Sequence, residues 1–299
     1  MTIRFDGQVA IVTGAGGGLG RSHALELAKR GAKVVVNDLG GDVHGEGASV
    51  SAAQAVADQI IADGGEAIVH GANVCNEDEV ADMINKTISK WGRIDVLINN
   101  AGILRDKSFA KMDASDVDLV VQVHLIGSAT CSRLVWPIMR DQGYGRIVMT
   151  TSSSGLYGNF GQANYGAAKL GLVGLMNTLC IEGSKYDIRV NALAPVAATR
   201  MTDGLMPPEA LEKLTPESVT AGLITLCDKD SPNRTVLAAG AGGYAVAKVF
   251  ETEGIYLPPE EQTAEAVREN FDAISDEAGM RQLLQGSEQS LKFLGKAMG

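Results

Sequence analysis

Three side chains within residues 146–170, Ser152, Tyr165 and Lys169, are of types and spacing that could move a proton. Tyr165 and Lys169 stand four residues apart in a helical pattern, so they share one face. A phenol is a poor acid–base group at neutral pH, because its ordinary pKa is about 10. Lowering that value by ~2 to 3 units takes roughly 3 to 4 kcal/mol of preferential stabilisation of the phenolate. An ammonium about 4 Å away supplies energy of that order at an effective dielectric of about 20. Lys169 is therefore expected to depress Tyr165, and Ser152 to hold a carbonyl to which Tyr165 gives or takes a proton. Tyr-x-x-x-Lys alone also arises by chance as a surface pair on an amphipathic helix. The weight falls on the elements that must position it.

Those elements alternate. Gln8–Thr13 (QVAIVT) reads as a buried strand, followed at once by TGAGGGLG and a helical pattern through Arg21, Ala24, Leu25, Leu27 and Ala28. Strand, glycine turn and helix form the context that a dinucleotide-binding loop requires. Gly14 allows the tight turn, Gly18 lets the backbone approach a pyrophosphate and Gly20 permits close packing, with the phosphates on the free N–H groups of the helix start. A second strand, KVVVND, ends in Asp38, about 20 residues past the glycines, where a carboxylate accepts hydrogen bonds from an adenosine ribose. It would repel a 2′-phosphate, and no Arg or Lys inside the glycine loop offsets that. NAD is therefore expected in preference to NADP.

A long polar loop over 39–51 leads to a helix through Ala55, Ile60 and Ile61, then a strand EAIVHGAN ending at Asn73. A helix over 77–91, a strand RIDVLINN running into Asn100-Ala101-Gly102, and a long helix over 117–140 come next. The last is expected to be interrupted near Trp136-Pro137, with His124 in its middle. Ile188–Pro195 reads as a sixth strand, Thr215-Pro216 as a capped helix start, and the segment around Val236 as one last strand. Strands alternating with helices mean a doubly wound α/β fold with a parallel sheet covered on both faces. Ligands in such sheets bind at the carboxyl ends of the strands, and the glycine loop, Asp38, Asn73, residues 99–102 and Ser152 all fall there. Residues 1–256 read as one dinucleotide-binding and catalytic domain. Residues 257–299, with helix-spaced apolar stripes through Val267, Phe271, Leu291 and Leu294, read as a helical extension covering the core or a partner subunit.

Composition narrows the partners. Hydrophobic content of 45% and charged content of 21% are ordinary for a soluble globular chain. The net charge of −10 argues against nucleic acid or an anionic membrane as the main partner. Cys75, Cys131, Cys180 and Cys227 are dispersed, with no His at ligand spacing, so reduced thiols are expected and no metal site. No apolar run reads as long enough to span a bilayer. With no leader pattern before Gln8 and no peroxisomal address in the final residues KAMG, the cytoplasm is the expected compartment.

TGAGGGLG, NNAG, Ser152, Tyr165 and Lys169, in this order and spacing, resemble the short-chain dehydrogenase/reductase family over roughly residues 5–245. The resemblance implies a Rossmann-type fold, Tyr165 as acid–base and Ser152 as carbonyl holder. It makes Lys169 both the depressant of Tyr165 and a partner of the nicotinamide ribose. It implies cofactor contacts from Gly14, Gly18, Leu19, Gly20, Asp38, Asn73, Val74, Asn100, Ala101, Gly102, Tyr165, Lys169, Pro195 and Thr199, and a sheet-stabilising role for Asn99. Three positions depart from the family. Val196 stands where Gly is common, and Asn73 where many members place Asp over the adenine. His124 stands where most carry an Asn of a water-linked proton relay. If His124 joins that relay, an imidazole should titrate in the pH–rate profile.

NDLGGD, VHLIGS, GLYGNFGQANYGAAKLGL and TRMT are similar, more closely, to the dehydrogenase unit of the multifunctional enzyme type 2 group. That similarity implies oxidation of (3R)-hydroxyacyl-CoA with NAD. Arg105, Lys107, Lys111 and Arg200 near the sheet's carboxyl edge are then expected to meet the coenzyme A phosphates. The alternatives are a hydroxysteroid or other bulky secondary-alcohol dehydrogenase and, more remotely, a non-catalytic NAD-binding sensor or scaffold. A homodimer or homotetramer is expected.

Overall fold

The computed structural model describes residues 2–42, 44, 45, 47, 49–197, 209 and 212–298. These form two compact units, 1–246 and 247–299, a division ten residues before the expected start of the extension. The first unit is built on one sheet of eight strands in the order β3-β2-β1-β4-β5-β6-β7-β8. They are β1 Val9–Thr13, β2 Lys33–Asn37, β3 Glu66–His70, β4 Val96–Asn99, β5 Gly145–Thr150, β6 Ile188–Pro195, β7 Val236–Gly240 and β8 Gly243–Ala247. β1 to β7 pair in parallel, with Ile11 facing Val35 on one side and Leu97 on the other. The glycine-rich segment after Val236 thus makes two strands rather than one. The two residues between them, Ala241 and Gly242, have positive φ, as a tight hairpin link requires.

The helices are α1 Gly18–Lys29, α2 Ser51–Ala62, α3 Glu77–Trp91, α4 Ala114–Val121, α5 Gly127–Gln142, α6 Ser153–Tyr157, α7 Ala163–Gly183 and α8 Pro216–Cys227. Every residue of β1, β4 and β5 is buried, which is why these strands read as apolar runs without alternation. α8 starts as expected, with Pro216 in its first turn and the Thr215 hydroxyl accepting from the Ser218 N–H at 3.3 Å.

Two local expectations are corrected. β3 stops at His70, so Asn73 lies in the following loop, where its side chain accepts from the Cys75 N–H at 3.0 Å. That side-chain turn competes with the ladder and ends the strand early. The long helix continues through Pro137, and its irregularity is a π turn at Gln122–Ile126 between α4 and α5. Together residues 114–142 form a helix of 29 residues containing an 18-residue window of mean hydropathy 1.2, long and apolar enough by length and composition alone to cross a membrane. Its apolar side is used inside the fold, where Val120, Cys131, Val135 and Met139 are fully buried.

The second unit contains α9 Ala264–Glu269, α10 Phe271–Ile274 and α11 Gly286–Met298. An antiparallel bridge joins Glu251 to Arg281. Its one buried α11 residue is Lys292, which donates to Glu251 Oε1 at 2.9 Å, while Leu291 and Leu294 are 67% and 57% exposed.

Candidate active site

The cofactor end is shaped by backbone. At the carboxyl end of β1 the Thr13 hydroxyl donates to Ile98 O and accepts from the N–H groups of Asn100 and Ala101 at 3.0 and 3.1 Å. The Asn100 amide donates to the carbonyls of Thr13 and Gly14, both at 3.0 Å. These bonds lock the turn after β4 against the turn after β1. Gly14 has φ +65°, and a Cβ there would lie 2.8 Å from Ala101 Cα. A Cβ on Gly20 would lie 2.0 Å from the Gly14 carbonyl oxygen. α1 begins behind Gly17 with no capping side chain and no acidic residue in its first turn, so the N–H groups of Gly18, Leu19 and Gly20 form the positive end of the helix dipole. This cradle fits a pyrophosphate. Asp38, just past β2, accepts from the N–H groups of Gly16 and Gly40, each at 2.7 Å, and so stands against the glycine loop where a ribose would bind.

Ser152, Tyr165 and Lys169 come together on the β5 side. Ser152 caps α6, its hydroxyl accepting from the Ser154 N–H at 3.2 Å, and it stands close enough to the Tyr165 phenol to lower its pKa. Lys169, one turn along α7, is 3% exposed and donates to the Thr150 carbonyl at 2.5 Å. Its ammonium lies 5.3 Å from the Tyr165 ring centroid.

The expected depression of Tyr165 is not what the fold produces. Burial pushes the phenol up to about 12, against the smaller lowering from the Ser152 hydroxyl, and the Asp106 carboxylate adds to the rise. Burial brings Lys169 down to about 7, so the cation that was to stabilise a phenolate is itself disfavoured. Charge pairing loses to desolvation here, and Tyr165 rests as a neutral phenol.

His124 sits in the π turn, 1% exposed, with its ring edge-on to Tyr165 at 5.1 Å between centroids. Its Nε2 lies 2.8 Å from Ile103 O and 3.1 Å from Ile103 N, while Nδ1 is buried without a partner. A Cβ on Gly102 would fall 2.3 Å from its ring, so only glycine fits at 102. Burial, then the nearby Lys169 charge, hold the imidazole well below its ordinary range. These surroundings favour a neutral His124 and oppose an imidazole limb in the pH–rate profile.

Other expected residues fare differently. Val74 is buried against the start of α5, where a Cβ on Gly127 would meet it at 2.8 Å. Pro195 ends β6, and Val196 N donates to Ala239 O at 2.8 Å. Asn99 is buried in β4, its amide donating to Ser132 Oγ at 3.0 Å. Thr199 and Arg200 lie outside the described residues. Lys107 is not a free cation: it bonds Asp113 and Asp116 at 2.9 and 2.7 Å, and both hold its pKa up. Arg105 donates to His44 O at 2.9 Å, and Lys111 is exposed. The four thiols are free, three of them buried. Among the described residues no group of three or more His, Cys, Asp or Glu is placed to hold a metal ion.

Sequence reasoning missed the Thr13 hydroxyl and a polar chain through Ser154, Gln162 and Asp106. Gln162 at the N-cap of α7, three residues before Tyr165, was the available signal.

A doubly wound sheet with a glycine-shaped cradle after β1, a carboxylate against that cradle and a Ser–Tyr–Lys group with its lysine buried fits an oxidoreductase that uses a nicotinamide cofactor on CH–OH donors. Residues 8–209 match the short chain dehydrogenase family, and the chain belongs to that family. A short-chain type dehydrogenase/reductase of Mycobacterium tuberculosis is 49% identical over 87% of this chain and 92% of its own. The full-length peroxisomal multifunctional enzyme type 2 of Drosophila melanogaster superposes with a TM-score of 0.83 at 37% identity, over 98% of this chain. This chain spans half the length of that one. A 7α-hydroxysteroid dehydrogenase complexed with NADH and 7-oxo glycochenodeoxycholic acid superposes with a TM-score of 0.72 at 29% identity, over 80% of this chain and 95% of its own.

Proposed function

We propose that the protein is an NAD-dependent dehydrogenase interconverting (3R)-3-hydroxyacyl-CoA and 3-oxoacyl-CoA. The observation that carries the substrate is the likeness to the multifunctional enzyme over 98% of this chain. NAD over NADP rests on Asp38, whose carboxylate at the glycine loop opposes a 2′-phosphate.

The bound nicotinamide supplies the hydride acceptor or donor. Ser152 holds the substrate oxygen, and Tyr165 takes the hydroxyl proton in oxidation or returns it to the ketone in reduction. A phenol near 12 is the right form for donating to a ketone. Oxidation needs the phenolate, so its rate should rise with pH while that of reduction falls. Lys169, gaining charge as pH drops through about 7, would favour the phenolate beside it.

The test compares kcat/KM for a (3R)-hydroxyacyl-CoA with that for a hydroxysteroid, each with NAD and with NADP. The steroid reading is favoured by the 7α-hydroxysteroid dehydrogenase likeness. A steroid preferred tenfold or more would overturn the thioester, and equal use of both cofactors would overturn the role of Asp38. We also propose a homodimer or homotetramer, checked by sedimentation. The four unpaired thiols suit a reducing compartment, and we assign the cytoplasm, checked by fractionation.

A further inference from the structure

The link from β2 to α2 reaches across the cofactor cradle. Along the sheet β1 lies between β2 and β4, and the glycine turn begins at the carboxyl end of β1. Adjacent strands are about 4.8 Å apart, so the loops after β2 and β4 start roughly 10 Å apart with that turn between them. They nevertheless touch. Arg105 Nε donates to the His44 carbonyl at 2.9 Å, and His44 Nδ1 donates to the Leu104 carbonyl at 3.1 Å. Gly45 packs beside them on the buried Ile103: its φ is +84°, and a Cβ there would lie 3.2 Å from the Ile103 side chain.

The two sides of this contact are held differently. On the β4 side Ile103 is fixed through its peptide by the His124 ring. The Arg105 carbonyl accepts from Asn164 Nδ2 at 3.1 Å, and Asn164 Oδ1 takes the Tyr165 N–H at 2.7 Å. Lys107 N donates to Gly161 O at 3.0 Å. Arg105 thus stands on a post anchored to the start of α7. On the β2 side the link is exposed at His44, Gly45 and Ser49. It is braced on itself, by Ser49 N donating to Leu39 O at 2.9 Å and His44 N to Asp42 Oδ1 at 2.8 Å. Exposed hydrogen bonds over few buried contacts open at small cost, so the β2 side is the one that gives way.

We propose that Arg105 and His44 form a clasp that closes the β2–α2 link over the dinucleotide, so that the cofactor enters and leaves when the clasp opens. Asp38 follows β2, and the nicotinamide must reach Tyr165 on the β5 side, so a dinucleotide lying along this edge of the sheet passes the same place. Every group in the clasp belongs to the protein. Removing it therefore eases entry as well as exit, whereas removing a direct contact to the cofactor would speed exit alone. Arg105 is a positioning residue that acts through the link. The inference rests on a nicotinamide cofactor in the cradle and is independent of which alcohol is oxidised.

The experiment follows NADH fluorescence by stopped flow and reads the association and dissociation rate constants separately. The variants are Arg105→Met, Arg105→Lys and His44→Ala. Arg105→Met should raise both rates about tenfold, the scale of one hydrogen bond from a charged group, and leave Kd nearly unchanged. His44→Ala, which loses the ring's bond to Leu104 and keeps the Arg105 bond to its own carbonyl, should move both rates the same way by a smaller factor. Arg105→Lys, still a charged donor, should fall between wild type and Arg105→Met. Rates unmoved in Arg105→Met overturn the inference. Faster dissociation alone, with Kd weakened in proportion, overturns it too, because Arg105 would then touch the cofactor directly. A raised KM for a hydroxyacyl thioester with both NADH rates unmoved would give Arg105 to the coenzyme A phosphates and overturn the clasp. Should Arg105→Met fail to fold, His44→Ala on the exposed link decides by the same two rates. A wild-type protein that binds no NADH overturns the cofactor reading and this one with it. Binding with rates that the variants leave alone overturns this one only.

Discussion

At the cofactor end, the shaping contacts are made by backbone, by Thr13, Asn100 and Asp38, and by the absence of side chains at Gly14 and Gly20. At the proposed proton-transfer end the shaping groups are ionisable side chains drawn away from water, Lys169 and His124 buried and Tyr165 half-buried, brought from α7 and the π turn. The first end is rigid and steric, and a misplaced methyl would fill it. The second is electrostatic, and its state depends on how each charge balances desolvation. One consequence is that the same kind of substitution should break the two ends in different ways, by affinity at one and by turnover at the other.

The largest expected effect is at the proton-transfer end. Tyr165→Phe should lower kcat by about 10² or more, the usual loss for a removed acid–base group, while cofactor titration shows binding retained. Turnover near wild type in that variant would remove Tyr165 from the chemistry and erase the contrast.

Gly20→Ala tests the steric end. Its Cβ would meet the Gly14 carbonyl oxygen, so either turn or helix must shift. Cofactor affinity should fall sharply and stability by about 1–3 kcal/mol, the range for overpacking. Calorimetric binding and thermal melting read the two losses separately, and unaltered affinity would show that the cradle is not steric.

Asp38→Ser sharpens the cofactor end further. Removing the carboxylate should cut the NAD-over-NADP preference roughly tenfold, the scale of one hydrogen bond to a charged group. Steady-state kinetics with both cofactors measure it.

The smallest effect is one of pH and separates buried imidazoles from catalysis. His124 is held well below its ordinary range and His23, buried with Nδ1 on the Thr220 hydroxyl at 2.7 Å, is brought down to about 3. Both pKa values are depressed on folding, so below about 6.5 the unfolded chain binds protons that the folded one refuses. Stability is then full above that pH and falls as pH drops, by up to about 1.4 kcal/mol per pH unit for each histidine. Melting temperature against pH should show this acid loss, and less of it in His23→Asn. The kinetic profile near 6.5 should carry no limb that belongs to His124. A limb there that vanishes in His124→Asn would give His124 a titrating role after all.

The alternation of strands and helices, the glycine turn, Asp38 and the Ser–Tyr–Lys spacing were legible in the sequence because each depends on neighbours within a turn or two. A parallel strand reads as an apolar run, Gly14 and Gly20 answer to local geometry, and the four-residue step from Tyr165 to Lys169 is set by helix pitch. What the sequence could not convey is burial. Whether Lys169 lowers Tyr165 depends on how much water both lose, and the close packing around α7 decided that desolvation wins. Lys107 looked like a free phosphate-binding cation until α4 brought Asp116 to it, with Asp113 just before that helix. Leu291 and Leu294 read as part of a covering apolar stripe, yet both are outside and Lys292 between them is inside. Local pattern determines which elements form and where the chemistry-bearing side chains sit along them. The charge state of those side chains and the partners they keep come from residues distant in sequence, because electrostatic energies follow three-dimensional distance and the exclusion of water.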